Sequence, residues 1–314
     1  MATHRTRGSV ALALATAVAL LACVVGCGSN PLAARPDAAA DARIESAATP
    51  AAIAESGRRR TPYRMLFIGN SLTQVNDLPA VVAALSRVAG DDPPLEVATV
   101  AFGGFSLEDH LAQGDARTAI AKKGWDVVVL QQGPSTLPES RANLIQYTQR
   151  FAVYIRGVGA RPALYGVWPE KERLYAFDDG IDSYRLAAEA VDGLLFPVAL
   201  AWQTAWARDP SLPFYGEDDF HPSRLGTYMA ALVIYAEVRD KSPVGLPATL
   251  TVDGYPYAVD PAAARICQQV AQQITNTRAR PGKPWGPRWP HADEPPASAP
   301  GGGRGGEQAG DVVD

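Results

Sequence analysis

An alternation of short apolar runs with longer helix-like stretches is the feature that most restricts the possible folds of this chain. It predicts buried strands at 64–68, 95–101, 125–130, 162–168 and 194–199. It predicts helices at 78–89, 107–122, 139–157, 181–192 and 223–239. Val127-Val128-Val129-Leu130 is continuously apolar, as in a strand covered on both faces. Because such alternation implies right-handed crossovers and a parallel sheet, we expect a three-layer α/β/α sandwich of the flavodoxin type.

The N-terminal segment has the pattern of an export signal. A cationic start precedes the uninterrupted apolar and small-residue stretch from Val10 to Val25. The string Val24-Val25-Gly26-Cys27 resembles a bacterial lipobox, in which the cysteine becomes the lipidated first residue. Cys23, after Leu20-Leu21-Ala22, is a competing site, and a plain secretory signal or an uncleaved anchor is the alternative to lipidation. We therefore expect residues 1–27 to be a signal peptide with a lipobox, and the mature protein to be membrane-anchored in the cell envelope, on the periplasmic or outer-membrane side.

Composition divides the remainder of the chain into three parts. Residues 28–60 are rich in Ala, Pro, Ser, Asp and Arg without apolar periodicity, which predicts a disordered tether. Residues 279–314 are rich in Pro and Gly, which predicts a disordered tail. One folded domain is expected between them, at 61–278.

Charge and metal-ligand content exclude several functions. The 29 basic and 33 acidic residues leave no basic surplus, so we expect no nucleic-acid partner. The four histidines are His4, His110, His221 and His291, and Cys267 is the only cysteine of the predicted domain. We therefore expect no metal and no cofactor. Separately, we expect Cys267 to be buried and His110 to lie on a solvated helix face.

Ser71 is the candidate nucleophile. It lies in Gly69-Asn70-Ser71-Leu72, where the first predicted strand ends and the chain turns towards a helix. Such a turn exposes a hydroxyl at the carboxyl edge of the sheet, where ligands of open parallel sheets bind. A serine needs a base held in the correct tautomer, and His221 is the candidate base. Asp218 is the expected orienting acid, with Asp219 as the near alternative.

Two further stretches are candidates for stabilising an oxyanion. Gly104, or failing it Gly103, follows the second strand and lets a backbone N–H approach the substrate. Gln131 and Gln132 follow the third strand, and a side-chain amide there is a possible second donor. The sequence does not choose between these two glutamines.

With these stretches identified, the chain resembles the SGNH/GDSL hydrolase superfamily over about 64–239. Gly69-Asn70-Ser71-Leu72 resembles its first block, usually Gly-Asp-Ser-Leu, and Gly104 falls at the glycine of the second block. Asp218-Asp219-Phe220-His221 matches the fifth block, Asp-x-x-His. The resemblance implies an SGNH-type fold, with Ser71 as nucleophile, His221 as general base and then acid, and Asp218 as its orienter.

The third block departs from the family pattern. The family has Gly-x-Asn-Asp, whose Asn lines the oxyanion hole, whereas this chain has Leu130-Gln131-Gln132-Gly133-Pro134. We expect Gln131 or Gln132 to replace that Asn. Carbohydrate-ester branches of the superfamily carry Gln-Gly motifs here, so the resemblance implies a serine esterase that deacetylates carbohydrate.

Two alternatives stay open. One is lipolytic or thioesterase activity on longer acyl groups, with Trp202, Trp206, Phe214 and Tyr215 as exposed aromatics that line either an acyl slot or a sugar platform, unless they belong to the core. The other is a non-catalytic glycan-binding envelope lipoprotein. The expected partners are a small-molecule or glycan ester and, through the lipid anchor, the membrane.

Overall fold

The computed structural model of the protein describes residues 61–276. The predictions for the signal peptide, for lipidation at Cys27, for the tether and for the tail lie outside these residues. Within 61–276, no helix combines the length and the apolar character that crossing a membrane requires.

A five-stranded parallel sheet forms the centre of the fold, in the order β2-β1-β3-β4-β5. Its strands are β1 (Tyr63–Gly69), β2 (Leu95–Ala101), β3 (Val127–Leu130), β4 (Arg161–Tyr165) and β5 (Leu194–Phe196). The register pairs Gly69 with Ala101 and Ile68 with Leu130, so the carboxyl ends of β1, β2 and β3 lie level. The loops that follow these three strands therefore meet at one edge.

Helices flank the sheet in two packing groups. One group contains α2 (Leu78–Val88), α7 (Val198–Trp206), α8 (Arg224–Arg239) and α9 (Pro261–Asn276). The other contains α3 (Leu107–Gln113), α4 (Asp115–Ala121), α5 (Pro138–Gly157) and α6 (Phe177–Glu189). A short helix, α1 (Ser71–Gln74), follows β1, and an antiparallel hairpin of β6 (Thr249–Val252) and β7 (Tyr255–Ala258) precedes α9.

The core lies where the sheet meets both helix layers. All four residues of β3 and the last five residues of β1 are buried, which is why these segments read as continuous apolar runs. The predicted three-layer α/β/α sandwich with a parallel sheet is confirmed.

Some boundaries differ from the prediction. The helix expected at 107–122 is two helices, because Gly114 takes a left-handed φ of 95° that interrupts the helical backbone. The strand expected at 194–199 ends at Phe196, and α7 begins at Val198. The helices α1 and α7 and the hairpin β6–β7 were not predicted, and the range of α9 was not predicted either.

Candidate active site

Ser71 lies at the first position of α1, directly after β1. Asn70 caps this helix, because its side-chain oxygen accepts a hydrogen bond of 3.1 Å from the N–H of Leu72. A glycine is required at position 69, because a Cβ on this residue would lie 2.4 Å from Gln131 Oε1 and 2.4 Å from Thr73 Oγ1. The tight turn leaves Ser71 half-buried at the carboxyl edge of the sheet.

His221 and Asp218 complete a hydrogen-bonded chain with Ser71. His221 Nε2 is 2.8 Å from Ser71 Oγ, and His221 Nδ1 is 2.5 Å from Asp218 Oδ2. A carboxylate only accepts hydrogen bonds, so the proton of the neutral imidazole lies on Nδ1 and Nε2 accepts from the Ser71 hydroxyl. This is the tautomer that a general base for serine requires.

Asp218, rather than Asp219, faces the imidazole. Its other oxygen, Oδ1, accepts the backbone N–H groups of Phe220, at 3.1 Å, and His221, at 2.9 Å. Its hydrogen bond to His221, together with these two backbone bonds, lowers the pKa of the Asp218 carboxyl from 3.8 to about 2. Asp219 points elsewhere, with its Oδ1 2.7 Å from Lys171 Nζ.

The base and its acid share one closed loop. Gly216 N–H donates to the carbonyl of His221 at 2.7 Å, and Ser223 N–H donates to that of Phe214 at 2.8 Å. Trp168 Nε1 donates to the Phe220 carbonyl at 3.0 Å, which fastens the loop to the segment that follows β4. His221 and Asp218 are therefore held relative to each other independently of Ser71.

The aromatic residues expected to be exposed near the site are mostly core. Trp202 and Phe214 are fully buried and stacked, with ring centroids 5.1 Å apart, and Trp202 also stacks on Trp168 at 3.5 Å. Trp206 and Tyr215 are partly buried in the same cluster. The exposure expectation is wrong because α7 turns Trp202 into the packed core, and Phe214 and Tyr215 pack against that ring.

Gln131 is committed to the nucleophile turn. Its Oε1 accepts from the N–H of Asn70 at 2.9 Å and from Thr73 Oγ1 at 2.7 Å. Its Nε2 donates to Asn70 Oδ1 at 2.8 Å and to the Gln132 carbonyl at 2.5 Å. A flipped amide would set its NH₂ group against the N–H of Asn70 and its oxygen against the carbonyl of Gln132, so the orientation is fixed by its partners. The expected oxyanion role of Gln131 needs correction, because both of its amide hydrogens are already used.

Gln132 is held by two side-chain hydrogen bonds. Its Oε1 accepts from the N–H of Leu107 at 3.1 Å, its Nε2 donates to Ser135 Oγ at 3.0 Å, and its side chain is buried. The amide therefore ties the loop after β3 to the start of α3. Among residues 61–276 only one of its two amide hydrogens has a partner, so the oxyanion role of Gln132 stays a prediction.

The Gly103-Gly104 turn lies beside Ser71. Phe105 N–H donates to the Phe102 carbonyl at 3.1 Å, which closes a β-turn. Gly104, its third residue, has φ of 76°, whereas Gly103 lies outside the left-handed region, which indicates a type II turn. Within residues 61–276, the N–H groups of Ser71 and Gly104 take part in no hydrogen bond. Both glycines are exposed, and Ser71 is half-buried.

Two contacts hold this turn against the nucleophile segment. Phe102 N–H donates to the Gly69 carbonyl at 3.2 Å, and Asn70 Nδ2 donates to the Phe105 carbonyl at 3.1 Å. The turn is thus bonded to both residues that immediately precede Ser71.

His110 is buried, and its expected position on a solvated helix face is wrong. Its side chain is 1% exposed and its Nε2 lies 2.7 Å from the Gly69 carbonyl. The sequence offered one signal that was missed: Leu107 and His110 are three positions apart and so share a helix face. Cys267 is buried, as predicted, and burial raises the pKa of its thiol to about 12.

Comparisons with known proteins connect this fold to solved structures. A DUF4886 family protein from Bacteroides uniformis is 18% identical, with a TM-score of 0.57, over 68% of this chain and 95% of that one. A protein from Slackia heliotrinireducens assigned as an SGNH hydrolase is 28% identical, with a TM-score of 0.49, over 57% and 100%. An acetyl-xylooligosaccharide esterase from Geobacillus is 17% identical, with a TM-score of 0.47, over 58% and 96%. No family model and no curated protein matches the chain.

Fold and site together define a class of protein. The chain is a parallel α/β/α protein that carries a hydrogen-bonded serine, histidine and aspartate at the carboxyl edge of its sheet. The likeness to the Bacteroides protein shows a shared fold. The three residues that are hydrogen-bonded here are those that the sequence resemblance predicted as nucleophile, base and orienting acid.

Proposed function

We propose that this protein is a serine esterase that acts through an acyl-enzyme, with acetylated carbohydrate as its substrate. The observation that carries the proposal is the hydrogen-bonded chain from Ser71 through His221 to Asp218, with distances of 2.8 and 2.5 Å. The tautomer deduced from this chain makes His221 a base for Ser71.

Two half-reactions follow from this geometry. Ser71 Oγ attacks the ester carbonyl while His221 Nε2 takes its proton, and the imidazolium then gives that proton to the leaving alcohol. A water molecule next attacks the acyl-enzyme, with His221 again as base, and releases the acid and Ser71. Asp218 remains ionised throughout and stabilises the imidazolium.

The oxyanion is stabilised by backbone groups in this proposal. The N–H groups of Ser71 and Gly104 are free donors among residues 61–276, whereas both amide hydrogens of Gln131 are occupied and the Gln132 side chain is buried. Loss of one oxyanion donor costs about 10²–10³ in turnover in well-studied enzymes. We expect an oxyanion hole of two backbone N–H groups to give a slower enzyme than one in which a side-chain amide adds a third donor.

The open site supports a bulky, hydrophilic alcohol. The side chains of His221 and Asp218 are 30% and 52% exposed, and a Cβ on Gly104 would meet no atom within 4 Å. Trp202 and Phe214 are buried and therefore do not line a slot for a long acyl chain. A short acyl group on a sugar suits such a site.

One observation favours longer acyl groups as a second candidate. Three apolar side chains are exposed on the loops that follow β3 and β4: Leu137, Leu174 and Tyr175, at 52%, 49% and 83%. Arg173 Nη2 donates to Thr136 Oγ1 at 2.6 Å and joins these two loops. Because both loops lie at the carboxyl edge of the sheet, this surface is within the region where substrates of such folds bind.

Hydrolysis of an aryl acetate tests the proposal. We expect Ser71→Ala to reduce kcat by at least about 10⁴-fold. Ser211→Ala is the matched control, because Ser211 is exposed and, among residues 61–276, its hydroxyl bonds only to Asp209. A fluorophosphonate probe is expected to label Ser71, as mapped by peptide mass. Unchanged turnover in Ser71→Ala would reject the mechanism, and a folded protein that neither hydrolyses the ester nor accepts the probe would favour a non-catalytic glycan-binding protein.

A substrate series separates the two acyl classes. Acetate release from acetylated oligosaccharides is compared with hydrolysis of aryl esters from acetate to octanoate. A preference for acetate supports carbohydrate deacetylation, and kcat/KM that rises with chain length supports lipolytic or thioesterase activity.

We also propose that the protein is an exported lipoprotein of the cell envelope, anchored through Cys27. The support is the sequence pattern of residues 1–27. Mass spectrometry of the mature N-terminus tests it: a lipidated Cys27 is expected, and an unmodified terminus beyond this residue would refute it.

A further inference from the structure

We propose that His110 is a positioning residue of the esterase reaction. It holds the Gly103-Gly104 turn and the end of β1 in a fixed relative position, so that the oxyanion donors keep their geometry. This inference rests on the proposed function. His110 has no contact with the reacting atoms in this scheme. It acts through the two backbone segments that supply the donors.

The first step of the argument is the bond to Gly69. A carbonyl oxygen only accepts, so His110 Nε2 carries the proton of their 2.7 Å hydrogen bond. The same carbonyl accepts the Phe102 N–H at 3.2 Å. One oxygen atom, two residues before Ser71, thus joins the imidazole, the nucleophile strand and the first residue of the glycine turn.

The second step is the packing of the ring. The imidazole centroid lies 5.8 Å from that of Phe102 and 5.2 Å from that of Phe105, and the two phenyl rings are 5.0 Å apart. These phenylalanines are the first and last residues of the β-turn that contains Gly104. The ring of His110 therefore supports both ends of the turn, whereas a Cβ on either glycine would meet no atom within 4 Å.

The third step is the charge state of the ring. Nδ1 is buried and has no hydrogen-bond partner among residues 61–276, so a proton there would be unsatisfied. Burial lowers the pKa of the imidazole, although the bond to the Gly69 carbonyl and the carboxylates of Asp109 and Asp115 oppose this shift. His110 is therefore a neutral Nε2–H donor, distinct from His221 with its Nδ1–H tautomer.

Two variants separate the donor from the ring. In His110→Phe the ring packing is retained and the bond to Gly69 is lost. In His110→Gln the side-chain amide places a donor near the former Nε2 position. We expect His110→Phe to lower kcat on the aryl acetate by about 10- to 100-fold with KM changed less than about twofold, because displaced oxyanion donors weaken transition-state stabilisation more than substrate binding. His110→Gln is expected to recover most of kcat.

A control addresses stability alone. Gln268 is buried in α9, where its Nε2 donates to the Tyr228 hydroxyl at 3.0 Å and to the Leu246 carbonyl at 2.6 Å. Gln268→Leu loses comparable buried bonds, and we expect it to lower the melting temperature but not kcat. If His110→Phe does not fold, His110→Gln and His110→Asn replace it, because the Asn side chain is too short to reach the Gly69 carbonyl. We then expect kcat near the wild-type value in His110→Gln and well below it in His110→Asn.

Nuclear magnetic resonance gives a readout that does not need activity. We expect the Nε2–H tautomer for His110, wild-type amide shifts for Gly103 and Gly104 in His110→Gln, and displaced shifts in His110→Phe. If wild type hydrolyses no ester, the proposed function fails and these shifts alone decide whether the residue positions the turn. Wild-type kcat in a folded His110→Phe, or unchanged glycine shifts in it, would overturn the inference while leaving the role of Ser71 intact.

Discussion

Replacing Asn70 by Asp alters one terminal group of a buried side chain, and we expect it to lower both stability and activity. Asn70 Oδ1 accepts from the N–H of Leu72 at 3.1 Å and from Gln131 Nε2 at 2.8 Å. Its Nδ2 donates to the Phe105 carbonyl at 3.1 Å. In the variant the first two bonds remain, but a carboxyl oxygen faces the carbonyl of Phe105. An attractive contact becomes a repulsive one.

The magnitude follows from these contacts. A buried acceptor left without a donor costs about 1–3 kcal/mol, and Asn70 is only 6% exposed. For a domain of this size each kcal/mol shifts the melting temperature by about 2–4 °C, so we expect a decrease of several degrees. The lost bond is also one of those that hold the glycine turn beside Ser71, and we expect kcat to fall about tenfold.

Thermal unfolding by circular dichroism and turnover of an aryl acetate measure the two effects. Asn276→Asp is the matched control, because Asn276 is exposed and its side-chain oxygen is the acceptor from Gln272, which Asp retains. The test is demanding, since the superfamily's first block usually has Asp at this position. A folded Asn70→Asp with wild-type melting temperature and wild-type kcat would refute the reasoning.

Further predictions concern the acid, the glycine turn and the buried thiol. Asp218→Asn should lower kcat by about 10⁴-fold, whereas Asp219→Asn, which removes only an exposed ion pair, should change it less than about tenfold. The pKa of the Asp218 carboxyl is lowered from 3.8 to about 2, so the stability it contributes is complete above pH 3.8 and is lost as the pH falls towards 2. Denaturant titrations should therefore show the difference in unfolding free energy between the wild type and Asp218→Asn shrinking across this window. A constant difference would contradict the shift. Gly104→Ala should reduce kcat more than Gly103→Ala, because only Gly104 has a left-handed φ, of 76°; equal effects would speak against it as the donor. Cys267 should resist iodoacetamide in the folded protein and react after denaturation, as mapped by peptide mass; labelling of the native protein would contradict its burial.

The sequence was informative where function depends on local order along the chain. Asp218 and His221 are three residues apart, so a single loop brings them together and their spacing alone indicated the pair. Ser71 was found because a buried strand ends in a Gly-Asn-Ser turn that leads towards a helix. Strand periodicity likewise placed every candidate residue at the same edge of the sheet.

Roles that depend on distant partners were not accessible in this way. Gln131 looked like a free amide because its partner Asn70 lies 61 positions away, and only the folded register of β1 and β3 brings them together. His110 looked solvated because two charged residues precede it, yet its partner Gly69 lies 41 positions away. In both cases the side chain bonds to a backbone group that is distant in the sequence, namely the N–H of Asn70 or the carbonyl of Gly69, and no local pattern reveals such a partner.

The closed loop that carries both His221 and Asp218 has a consequence for how the protein acquires activity. Ser71 and His221 are separated by 150 positions, and the parallel strands between them must all assemble before the two atoms meet. Strand pairing between segments that are distant in the sequence forms more slowly than local structure does. A nascent or partly folded chain can form the imidazole–carboxylate pair on its loop, but it has no nucleophile beside it. We therefore expect the recovery of turnover during refolding to lag behind the recovery of helical circular dichroism.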